Sequence, residues 1–167
     1  VAILVGSICL SRKNTRKNHM LIGEFTHTID DKNRVALPAK FRRDLGKKVV
    51  MTYGLDQCLA LYPAGEWQTI ATKLSGLSTG VADSRGFNRL MLSGATDAEV
   101  DGAGRLLIPE HLRDFAQLGD KAGAKVVFAG VGNRLEVWSE ARWASYKKSI
   151  TSRADALAQK LGEIGAF

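Results

Sequence analysis

Apolar positions along this chain fall in short runs broken by Gly, Asn and Pro, the pattern of brief β-strands joined by tight turns. Residues 25–29 lead into such a turn, and residues 34–37 leave it as a second strand. Asn33 sits at the turn, and Asn is one of the few residue types that takes a positive φ readily. Asp30 can accept backbone N–H bonds within the same turn. Pro38 is predicted in the first turn of a short helix, where its missing N–H costs nothing, and Gly46 at that helix's end. Residues 49–53 and 58–62 then form a hairpin around Gly54, and a further helix begins near Glu66.

The whole series then recurs. Asp30-Asp31-Lys32-Asn33-Arg34-Val35-Ala36-Leu37-Pro38-Ala39-Lys40-Phe41-Arg42 aligns without a gap with Asp101-Gly102-Ala103-Gly104-Arg105-Leu106-Leu107-Ile108-Pro109-Glu110-His111-Leu112-Arg113. Downstream, Leu45-Gly46 answers Leu118-Gly119, Leu59-Ala60-Leu61-Tyr62 answers Leu135-Glu136-Val137-Trp138, and Trp67 answers Trp143. Agreement over this length identifies a duplication. The second copy therefore carries a lead-in at 99–100, a strand at 105–108, and a helix from Pro109 ending at Gly119. It continues with a hairpin of 125–129 and 135–138 turning at Gly130 and Gly132-Asn133, and a closing helix near Glu140 capped by Ser139. Between the copies, 83–92 is predicted helical with Phe87, Leu90 and Met91 on one face, and 146–167 reads as an extended or frayed helical tail.

Composition changes this picture in two places. The formal net charge of +7 suggests a polyanionic partner, but Arg12, Lys13, Arg16 and Lys17 all lie in the first nineteen residues, leaving the remainder only mildly basic. That first segment stands outside the repeat, and Met20 opens the patterned region; residues 1–19 are read as a non-native leader whose removal should leave folding and specific binding intact, the alternative being a genuine basic arm that contacts phosphates. With two cysteines, Cys9 and Cys58, a disulfide framework is not expected and a reducing cytoplasm is the simpler setting. No apolar run approaches the length of a membrane span. The organisation expected is a leader (1–19), a first module (20–78, core 24–67), a helical linker (79–95), a second module (96–146) and a helical tail (147–167).

The pattern Asp-x-x-x-Arg-(apolar)-x-(apolar)-Pro-x-x-(apolar)-Arg, present twice, resembles the SpoVT/AbrB-type DNA-binding fold. Together with the opening Met20-Leu21-Ile22-Gly23-Glu24-Phe25 and the linker Arg89-Leu90-Met91-Leu92-Ser93-Gly94-Ala95, it resembles the bacterial MraZ family from about Met20 to Tyr146. The resemblance implies an α+β, β-rich fold: two tandem AbrB-like swapped-hairpin half-barrels that form an intrachain pseudo-dimer, with short helices. It also implies a cytoplasmic, nucleoid-associated transcriptional regulator acting on the promoter of the division and cell-wall gene cluster, its own operon. Its partners would be double-stranded DNA and further copies of itself in a ring. The family's DNA contacts fall on Asp30, Arg34, Asp101 and Arg105.

An Arg just past a hairpin turn can offer its fork to guanine O6/N7 or to phosphate. The plainer reading of the same spacing is an Asp30–Arg34 or Asp101–Arg105 ion pair that steadies the turn. From Arg34 to Lys48 the first copy holds Arg34, Lys40, Arg42, Arg43, Lys47 and Lys48 against Asp44 alone, whereas residues 105–121 balance. Copy one should therefore neutralise more phosphate, with Lys40, Arg42, Arg43 and Lys47 as the contacts, unless the run is simply a solvated helix face. Other motifs fail. Asp97-x-Glu99-x-Asp101-Gly102 starts like a calcium loop but has Ile108 at its twelfth position, and His19, His27 and His111 lack metal-ligand spacing. Trp67, Trp138 and Trp143 read as packing residues. No catalytic constellation, cofactor or small-molecule substrate is expected. The competing functions are an AbrB-fold antitoxin that neutralises a partner toxin, and a ring-forming structural protein without specific DNA binding.

Overall fold

The computed structural model of the chain describes residues 20–166; the expected leader lies outside them. The first repeat runs β1 (Leu21–Thr28), β2 (Arg34–Ala36), α1 (Ala39–Leu45), β3 (Lys48–Tyr53), β4 (Leu59–Pro63) and α2 (Ala64–Ser75). After α3 (Ala82–Ser93), the second repeat runs β5 (Thr96–Glu99), β6 (Arg105–Leu107), α4 (Glu110–Phe115), β7 (Lys125–Gly132), β8 (Leu135–Ser139) and α5 (Glu140–Thr151), followed by α6 (Ala154–Glu163). No helix among the described residues is long and apolar enough to cross a membrane.

The strands pair across the repeats. Six of them form an antiparallel sheet in the order β1-β7-β8-β4-β3-β5, and β2 pairs with β6 in a separate two-stranded ribbon. Exchanging the two repeats reverses the six-stranded order onto itself, so the molecule has a pseudo-twofold axis between β4 and β8. Each repeat keeps its own hairpin (β3–β4, β7–β8) but gives its leading strand to the other: β1 lies on β7 from Leu21↔Gly132 to Thr28↔Lys125, and β5 lies on β3 from Lys48↔Glu99 to Met51↔Thr96. This is the swapped-hairpin pseudo-dimer. Within repeat one the expected turn between the leading strands holds only one bridge, Ile29↔Val35, before the strands part to their cross-repeat partners.

The alternation along each strand divides two buried faces. On β7, Val126 and Phe128 join the main core while Val127 joins Trp138 and Cys58 on the opposite side, under Trp143 of α5. The main core draws on both copies equally, with Val35, Leu37, Phe41 and Met51 packed beside Leu106, Ile108, Leu112 and Phe128. On the far face, Tyr62 meets Trp67 with ring centroids 5.6 Å apart, and Trp138 meets Trp143 at 5.4 Å, so these indoles pack as expected. Burial pushes the Cys58 thiol up to about 12, which makes it an inert core group.

Several local expectations are corrected. Pro38 and Pro109 stand at the N-cap with extended ψ rather than inside the first turn; each hands a buried strand end directly to a helix. Gly46 ends α1 at φ 77, but α4 stops four residues before Gly119. There Gln117 takes φ 50, its N–H bonds Asp114 O, and Leu118 N–H bonds Arg113 O, a Schellman closure that seats buried Leu118 in the core. Ser139 occupies the N-cap of α5 without a side-chain cap bond. Gly130 is not a turn residue: it lies inside β7 opposite Gly23, and a Cβ there would meet the backbone N of Ile22 at 2.7 Å. On α3 only Met91 is buried, while Phe87 and Leu90 stay 39% and 41% exposed. Thr52 Oγ1 donates to Met91 O at 2.8 Å, which sets the rotation of that helix. The tail is helical, and α5 continues unbroken past Tyr146.

Candidate nucleic-acid interface

Each repeat builds the same clip at the start of its ribbon strand. Asp30 Oδ1 accepts the backbone N–H groups of Lys32 and Arg34, both at 2.9 Å, while Oδ2 receives Arg34 Nε at 2.9 Å and Nη2 at 2.8 Å. Asp101 Oδ1 likewise accepts Ala103 and Arg105 N–H, and Oδ2 receives Arg105 Nε and Nη2, each at 2.9 Å. The turns that permit this pass through Asn33 at φ 56 and Gly104 at φ 78. The carboxylate thus closes its own loop and grips one edge of the guanidinium, and among the described residues Nη1 of each arginine has no protein partner.

The ribbon register places the two clips side by side. Arg34 pairs with Leu107, Val35 with Leu106, and Ala36 with Arg105. Val35 and Leu106 point into the core, so Arg34, Arg105 and exposed Leu107 share the outer face. The two arginines are diagonal neighbours across the ribbon. Their fields overlap: the Arg34 guanidinium is held above its ordinary pKa first by its bond to Asp30, and also by the charges of Asp101 and Asp31.

Of the other predicted contacts, Arg43 and Lys47 stand in solvent, and Arg43 Nε also reaches Asp44 at 3.1 Å. Lys40 Nζ donates to Ile22 O at 2.8 Å, tying α1 to β1. Arg42 stays exposed, with its Nε donating to Leu37 O at 2.8 Å. A residue not singled out from the sequence completes the site: Arg113 Nη1 donates to Asn33 Oδ1 at 2.7 Å. Its place opposite Arg42 in the repeat alignment was the available signal.

Both halves of the chain match one family model, described as "MraZ protein, putative antitoxin-like", over residues 20–90 and 91–162. The chain belongs to the MraZ family. Two relatives named Transcriptional regulator MraZ, from Roseiflexus castenholzii and Moorella thermoacetica, are 44% and 46% identical to it. The matches cover 87% and 85% of this chain and 99% and 96% of those proteins. The two family repeats divide at residue 90 or 91, within α3.

The MraZ clip carries a definite pH expectation. Bonds from the Arg34 side chain, then from the Arg34 and Lys32 backbone, lower the Asp30 carboxyl to about 2, and Asp101 is lowered in the same direction, first by the Arg105 backbone N–H. A carboxyl with a depressed folded pKa contributes stability above its unfolded pKa and loses it as pH falls through the folded one. The Asp30 clip should therefore stay closed from neutral pH into the acid range and open on approach to pH 2, and the Asp101 clip should open below its ordinary carboxylate pKa. Carbon-13 titration of the Asp30 carboxyl checks this; a midpoint in the ordinary carboxylate range would show that the clip is open in solution.

Proposed function

We propose that this chain is a sequence-specific DNA-binding transcriptional regulator without enzymatic activity, acting in the cytoplasm at the nucleoid on the promoter of its own division and cell-wall operon. The observation that carries this reading is the pair of Asp-x-x-x-Arg clips on one face of a two-stranded ribbon. A two-stranded β-ribbon fits the major groove, and an arginine gripped along one edge is presented with its remaining donors in a fixed direction, as bidentate recognition of guanine requires. The name of its relatives points the same way.

The clips balance their own charge, so the ribbon would supply discrimination and little long-range attraction. Phosphate neutralisation would fall to Arg43, Lys47 and their basic neighbours in repeat one. The deciding experiment is a salt-titrated binding series on the duplex upstream of the gene and on a scrambled duplex of the same composition. Tighter binding to the upstream duplex at every salt concentration is expected; equal affinity for both overturns the reading. Lys47→Ala should weaken both duplexes alike and flatten the salt slope by about one unit.

The reading includes a closed ring of identical chains. Leu77, Val81, Phe87 and Leu90 leave an apolar stretch exposed on and before α3, which a neighbouring copy would cover. Sedimentation of a monomer at micromolar concentration contradicts it. A toxin-neutralising role, favoured by the antitoxin-like family description, requires a co-purifying partner protein.

A further inference from the structure

The arginine that ends each Pro-x-x-(apolar)-Arg motif reaches the turn of the other repeat. Arg113 belongs to repeat two but is only 8% exposed, and its Nη1 reaches the side chain of Asn33 in the turn of repeat one. Its Nε is buried without a partner, an unfavourable state that the contact to Asn33 must offset. Arg42 belongs to repeat one and lies against Gly104 in the turn of repeat two, so closely that a Cβ at Gly104 would collide with the guanidinium. The backbone makes the same exchange. Leu37 N–H donates to Gly104 O at 2.8 Å, and Ile108 N–H donates to Asn33 O at 3.0 Å.

Asn33 and Gly104 are the left-handed residues immediately before Arg34 and Arg105. Their conformation sets the direction in which each clip leaves the turn. The difference between the turns explains the two forms of brace. Gly104 has no side chain, so the Arg42 guanidinium fills the space and keeps its Nε on Leu37 O. Asn33 has one, so Arg113 bonds to it instead.

We propose that Arg42 and Arg113 are positioning residues acting across the pseudo-twofold axis, Arg113 fixing the aim of Arg34 and Arg42 fixing the aim of Arg105. This rests on the reading of the clips as the DNA-reading elements. It adds to Arg42 a role toward the turn of repeat two and gives Arg113 a function.

Amide hydrogen exchange in the full chain tests the brace without DNA. After correction for global stability measured by denaturant unfolding, Arg113→Ala should speed exchange at Asn33 and Arg34 by about tenfold and leave Gly104 and Arg105 within about twofold. Arg42→Ala should do the reverse. Asn33→Asp, which removes no side-chain volume from the core, provides a second arm that does not depend on the alanine variants folding. It keeps a residue that tolerates the left-handed turn and turns the bond to Arg113 into an ion pair, so turn one should exchange more slowly and turn two should not change. Equal acceleration of both turns, acceleration confined to the substituted repeat, or no change overturns the proposal. On DNA, Arg113→Ala should lose discrimination at the base pairs affected by Arg34→Ala. If Arg34→Ala itself leaves discrimination intact, the DNA reading fails while the exchange pattern still decides the brace.

Discussion

Arg34→Ala and Arg105→Ala will each weaken binding to the operator duplex by about 1–3 kcal/mol, with a smaller loss on scrambled duplex. The expectation follows from the ribbon: both guanidiniums are held along one edge by a carboxylate and face the same side. Under the proposed reading, phosphate contacts from Arg43 and Lys47 would be untouched by either change, so random DNA should keep most of its affinity. Lysine at either position will not restore discrimination, because an ammonium is a point charge without the planar fork. Salt-titrated binding of folded variants, verified by far-UV circular dichroism, measures the effect. Wild-type operator affinity in both alanine variants would make the clips purely structural.

Leu106→Ala will destabilise the whole molecule by about 2–5 kcal/mol, and as a single unit. Leu106 is 0% exposed, pairs with Val35 at the centre of the ribbon, and packs in a core drawn from both repeats. The leading strands are exchanged between the halves, so neither repeat retains its sheet when the other opens. Denaturant unfolding followed by circular dichroism and by indole fluorescence, with Trp67 in one repeat and Trp138 in the other, should give coincident transitions at a lower midpoint. Two separated transitions, or loss confined to the second repeat, would contradict the shared core.

The strands, the short helices and the duplication were legible in the chain because each rests on a local pattern: alternation, a turn residue, a proline. Partner choice was not. Alternation in residues 25–29 states which side chains face inward, but it contains nothing that distinguishes β7 from β2 as the neighbour; the exchange came from the family resemblance and is confirmed by the register. The clip residues were legible for the same local reason, since Asp and Arg four positions apart around a left-handed residue close on each other. The ion pair of the plainer reading is present in both turns, and it also orients the arginine on which the proposed DNA reading rests. What failed depended on tertiary contacts. Phe87, Leu90 and Met91 share an apolar arc, yet a hydrogen bond from Thr52 turns only Met91 inward. The approach of Arg42 to Gly104, distant in sequence, was likewise not legible from the basic run around it.

The pseudo-twofold axis has a consequence for how such a surface changes over generations. In a dimer of identical swapped hairpins, one codon writes both arms of the ribbon, so every altered contact arrives twice and stays palindromic. Here the arms are written by separate codons: Asn33 faces one way across the axis and Gly104 the other, and the basic run beside α1 has no counterpart beside α4. One arm can drift while its twin is held fixed. The duplication converts a surface confined to symmetric variation into one that is inherited as two independent halves on a single shared sheet.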